Sequence, residues 1–161
     1  MKIMGKSISE YFAFQRVIMA LILLVGFARL GLSLAGFPTS TVKWISLTAL
    51  ALVGIVYCAV KVPRTNFGGY KHLLPLYLMQ AGVANLIIAG GIALSAITGT
   101  PNIYSAPEYS AVANPWLHAL GHLIDGFVVG PLLGWIIGAP IMFVARKVWP
   151  EKTAQVGAPV S

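Results

Sequence analysis

Four long apolar runs, at about residues 17–36, 44–60, 73–98 and 116–144, decide what this chain can fold into. Each is close to the ~20 residues an α-helix needs to cross a hydrocarbon layer ~30 Å thick. No water satisfies backbone N–H and C=O groups inside that layer, so runs of this kind are restricted to helices. The remaining segments are too short for a separate soluble domain. Only 9% of the residues are charged, against ~25% in soluble domains, too few to coat a water-facing globule. The expected fold is all-α: a polytopic membrane protein, one antiparallel four-transmembrane-helix bundle over residues 1–161.

The placement of charge orients it. Lys2, Lys6 and Arg16 precede the first run; Lys61, Arg64 and Lys71 separate the second from the third; Arg146, Lys147 and Lys152 follow the fourth. The other connections hold Lys43 and Glu108. The positive-inside rule then puts both termini and the middle loop in the cytoplasm, as in a bacterial plasma (inner) membrane. Trp44, Trp116 and Trp149 fall at run ends, where an aromatic belt belongs. The net charge of +7 is therefore a topology signal with some attraction to anionic lipid. The expected partner is the lipid bilayer, not nucleic acid. The single cysteine, Cys58, excludes an internal disulfide and a cysteine-built zinc cage. Arg29 interrupts the first run, which argues for a retained span over a cleaved signal peptide.

Chemistry-bearing residues concentrate in the last run. His118, His122 and Asp125 lie within about 60° of one another on a helix, at i, i+4 and i+7. Gly126, Gly130, Gly134 and Gly138 continue that row toward the opposite end. Such a row of small residues allows close helix packing, and Ala81, Asn85, Ala89 and Ala93 make a second one facing it. Two imidazoles and a carboxylate suit a transition metal, with Glu108 of the 99–115 loop the nearest further acidic ligand. The same groups suit a ligand-binding or proton-handling site, because histidine beside a carboxylate exchanges protons in the physiological range. In the third reading the cluster is structural, with Asp125 neutralising Arg29. Those two are the only formal charges well inside a span, and they lie at similar depths by residue count. Haem is disfavoured, because both histidines share one helix and His72 belongs to the far surface.

Other features are weaker. Residues 1–15 read as a basic amphipathic lead-in, with Tyr11, Phe12 and Phe14 at the interface. The proline-containing 99–115 loop reads as a solvated connection, with a lid over the last span as the alternative. The last run, roughly 34 residues and ~50 Å long, exceeds the membrane and has kink points at Pro131 and Pro140. The tail from Pro150 reads as mobile. No catalytic motif is present, so whether this is an enzyme is open. Two functional classes remain: a membrane protein with a His118/His122/Asp125/Arg29/Glu108 site in its outer leaflet, acting as a homo-oligomer, and an accessory subunit of a larger membrane complex.

Overall fold

The computed structural model describes residues 2–109 and 112–149. The tail from Pro150 lies outside the described residues. The chain is mostly helical. Its four stretches Arg16–Leu34, Thr39–Arg64, Tyr70–Thr98 and Pro115–Val148 are each long and apolar enough to cross a membrane.

The N-terminus departs from the expected lead-in. Strands β1 (Lys2–Ile3) and β2 (Lys6–Ser7) form an antiparallel hairpin. Met4 and Gly5, with φ of 53° and 87°, supply the left-handed pair that a two-residue turn requires. Helix α1 (Ile8–Phe14) starts at a capping box, in which Ser7 Oγ accepts from the Glu10 N–H and Glu10 Oε2 accepts from the Ser7 N–H. Tyr11 is fully buried, not interfacial, and its hydroxyl donates to the Ile3 carbonyl. An amphipathic pattern marks one apolar face but does not say whether lipid or protein covers it.

Helix α2 (Arg16–Leu34) leads to the short α3 (Thr39–Val42) and then to α4 (Leu47–Arg64), whose start is capped by Ser46. Helix α5 (Leu73–Thr98) ends where Gly99 turns left-handed. After the outer loop, Asn114 Oδ1 accepts from the N–H groups of Trp116 and Leu117 and starts α6 (Pro115–Ile124). A π-helical turn at Asp125–Val129 joins it to α7 (Gly130–Val148). The physical cause is Pro131. It has no N–H for the Phe127 carbonyl, and its ring crowds that carbonyl, so the helix widens here instead of kinking sharply. Pro140 is accommodated inside α7 without a break.

Helix α5 is the centre: α2, α4, α6, the π turn and α7 all pack on it. The glycine row lies against it. A Cβ on Gly126 would meet Asn85, one on Gly130 would meet Ala81, and ones on Gly134 and Gly138 would strike the Tyr77 ring. The Tyr77 hydroxyl reaches past that row to donate to the Ile55 carbonyl of α4. Two apolar cores result. One, around Ile22, Ile87, Ile92 and Ile103, fills the outer-loop end; the other, around Tyr11, Leu76, Tyr77 and Met142, fills the basic end. Large apolar side chains such as Leu24, Phe27, Val53 and Ile136 remain exposed on the helix surfaces. That is the girdle a bilayer-embedded chain presents to lipid.

The first part of the 99–115 loop is built into the fold against α2 and α5, while Pro107–Tyr109 and residues 112–114 are exposed. Asn102, Ile103 and Tyr104 are buried. Asn102 Nδ2 donates to the Gly91 carbonyl (2.7 Å), the Ile103 N–H donates to Ser33 Oγ (2.8 Å), and the Tyr104 hydroxyl donates to the Gly26 carbonyl (2.8 Å). Gly91 leaves the room that the Tyr104 ring occupies.

Candidate functional site

The cluster on the last helix is organised by a residue from α5. His122 Nδ1–H donates to Asn85 Oδ1 at 2.8 Å, and Asn85 Nδ2 donates to Asp125 Oδ2 at 3.1 Å. The same Nδ2 also donates to the Ala81 carbonyl at 3.1 Å, which fixes the amide's orientation. One amide thus joins an imidazole to a carboxylate across two helices. Gly126 makes this possible, because a Cβ there would collide with Asn85. His118 extends the row, its ring centroid 5.0 Å from that of His122.

Exposure grades along the row. Asn85 is buried, His118 and His122 are half-buried, and Asp125 is exposed on the surface of the isolated chain. His118 opens on a cavity of about 340 Å³ under the outer loop, beside Ser105 and Pro107. His122 and Asp125 instead border a second cavity of about 320 Å³, between α4, α5 and the last helix. Its other walls are mostly apolar, Leu47, Ala84, Ile88 and Leu133 among them, with Asn85 and Gln80 as further polar groups. A concave, largely apolar site with a few convergent polar groups is the general form of a small-molecule pocket. The π turn falls at Asp125, where such irregularities commonly mark functional positions.

The structure brings His118, His122 and Asp125 together but joins neither Arg29 nor Glu108 to them. Glu108 is exposed on the outer loop, and no hydrogen bond or ion pair links it to the histidines. The Arg29–Asp125 pair, expected within one subunit or across an interface, does not form within the chain: the ion pair found among the described residues is Lys6–Glu10. Arg29 instead faces the rings of Tyr104 and Tyr109, 5.4 and 5.6 Å from their centroids, and its Nε is buried without a hydrogen bond. Burial pushes the Tyr104 hydroxyl up to about 12, against the opposing pull of Arg29. Equal depth failed as a guide because α2 packs on α5 and α4, while Asp125 sits on the turn against another side of α5. Among the described residues no three His, Cys, Asp or Glu side chains gather around a point that a metal ion could occupy. His72 lies at the basic end, where Nδ1 accepts from the Gly69 N–H and Nε2 faces the Met4 carbonyl.

A second polar cluster occupies the basic half. Gln80 Nε2 donates to Gln15 Oε1 (2.8 Å) and to Cys58 Sγ (3.2 Å), and Gln15 Nε2 donates to Met79 Sδ (3.4 Å). Gln15, Cys58 and Gln80 are all buried. Gln15 carried no sequence signal, since it reads as the last polar residue before a span. No family model matches this chain, and neither a curated protein nor a solved structure is similar to it.

Proposed function

We propose that this chain is a four-span integral membrane protein with both termini in the cytoplasm. In this reading its work is done in the outer half, where His122 and Asp125, tied together by Asn85, form with the neighbouring His118 a proton-handling site at the polar end of a ligand groove. The observation that carries the proposal is the Asn85 amide, which holds His122 and Asp125 in fixed relation on the groove wall. A neutral His122 held through Nδ1–H keeps Nε2 as a free acceptor. Asp125 keeps one carboxylate oxygen free of intramolecular hydrogen bonds. Protons reaching His118 from the outer cavity have a path to the groove, and a lipophilic ligand entering from the bilayer finds an acceptor pair at its polar end.

Infrared difference spectroscopy between acidic and alkaline pH tests this in lipid. The protonated-carboxyl absorption should lose one component in Asp125→Asn, and that component should shift in Asn85→Leu. A component insensitive to Asn85→Leu would contradict the coupling. Orientation is tested separately by thiol labelling on a Cys58→Ala background. Lys71→Cys should react from the cytoplasmic side and Glu108→Cys from the outer side, and the reverse pattern would invert the topology.

One observation favours a second reading. Asp125 is exposed on an apolar surface with no ion-pair partner among the described residues, and burying such a charge in lipid is costly. A neighbouring copy or another subunit that supplies a cation there would make the chain part of a larger assembly. Loss of Asp125 would then disperse the complex, a change in oligomeric mass, without altering proton uptake.

A further inference from the structure

Two grooves lie side by side at the basic end, one on the surface of α4 and the other between α4 and α7. One, about 570 Å³, runs along Val56, Tyr57 and Val60 to Lys61, Arg64 and Thr65. The other, about 390 Å³, runs along Ile141, Val144 and Val148 to Trp149. Val60 borders both and forms the ridge between them. They converge where the Arg64 guanidinium stands 4.9 Å from the centroid of the Trp149 ring. Lys61, which also lines the first groove, donates from Nζ to the Phe14 carbonyl (2.6 Å) and to the Tyr57 hydroxyl. Neither cation has a carboxylate partner among the described residues.

We infer that this double groove seats an anionic diacyl phospholipid, with one acyl chain on each side of Val60 and the phosphate on Arg64 and Lys61. Two apolar troughs flanking Val60 match two chains, and Arg64 and Lys61, without a carboxylate partner among the described residues, match one phosphate. A zwitterionic headgroup would bring its own ammonium against the same pair, so the charge selects anionic lipid. The site stands apart from the His122–Asp125 cluster and rests on none of its chemistry.

The test uses purified, delipidated full-length protein in neutral detergent, titrated with phosphatidylglycerol or phosphatidylcholine of identical chains, with the rise in melting temperature as readout. Phosphatidylglycerol should half-saturate at roughly fivefold lower mole fraction, the factor expected from one well-placed cation. Arg64→Gln should remove that preference. Lys147→Gln, an exposed cation at the same end but outside both grooves, should keep it. Val60→Trp, which fills the ridge, should weaken both lipids. Equal response to the two lipids in the wild type would overturn the inference. So would equal losses in Arg64→Gln and Lys147→Gln, which would mean diffuse attraction. A shift produced by glycerol phosphate alone would also overturn it, as a free-anion site without chain binding.

Discussion

Gln80 and Asn85 sit about a turn and a half apart on α5, both carry an amide, and both border the same cavity. Their situations are opposite. The Gln80 amide turns inward, onto a buried glutamine and a buried thiol, neither of which carries a formal charge. The Asn85 amide links an imidazole and a carboxyl group, one half-buried and the other exposed. A polar network whose members are buried and uncharged fixes helix register. One whose ends reach a cavity can also exchange protons or bind. The difference lies in what each amide holds, since the two residues are chemically alike.

The comparison depends on α5 and α7 staying in contact, so the largest expected effect comes from parting them. Gly134→Leu should cost about 3 kcal/mol, the upper range for overpacking a close contact, because the Tyr77 ring already fills that space. Gly121→Leu meets open space and should change thermal stability little. Equal tolerance at both positions would mean that the glycine row does not hold the two helices together.

Breaking the Gln80 network comes next. Gln80→Leu leaves Gln15 Oε1 buried with only the weak thiol donor of Cys58 at 3.9 Å, a loss of about 2 kcal/mol. Equilibrium unfolding in detergent would measure it. A variant as stable as the wild type would show that water, not protein, satisfies this cluster.

The smallest expected effect is at the N-terminal cap. The backbone hydrogen bond from Ser7 holds the Glu10 carboxyl below the usual carboxylate range, with help from the Ser7 hydroxyl and Lys6. A depressed folded-state pKa gives stability that is present above the unfolded value and lost as pH falls through the folded one. The hairpin and α1 should therefore loosen only in acid, below the ordinary glutamate range, as read by amide exchange at Ser7 and Glu10. Glu10→Gln should remove that acid dependence.

The four spans were legible because each is a long apolar run, and hydropathy alone restricts such runs to helices. The cluster of His118, His122 and Asp125 was legible because its i, i+4, i+7 spacing puts those three on one side of a helix, and the glycines that follow drift slowly around its axis. Three features were not. The Arg29–Asp125 pairing was inferred from depth, but depth along a helix axis says nothing about azimuth around a third helix. The burial of Asn102, Ile103 and Tyr104 depends on hydrogen bonds to Gly91, Ser33 and Gly26, which lie far away in sequence. The role of Asn85 was hidden in the same way, since an asparagine in a row of small residues looks like a packing residue until its partners are placed.

The contrast between the two amides is tested most directly by titrating the histidine ring resonances of the protein in lipid nanodiscs. Wild type, Asn85→Leu and Gln80→Leu would be compared under identical conditions. Asn85→Leu should change the His122 curve and separate it from Asp125 while costing only about 1 kcal/mol of stability. Gln80→Leu should leave the His122 curve unchanged despite its larger loss of stability. His122 curves that are superimposable in all three proteins, or displaced equally by both substitutions, would contradict a proton-handling role for the Asn85-linked cluster.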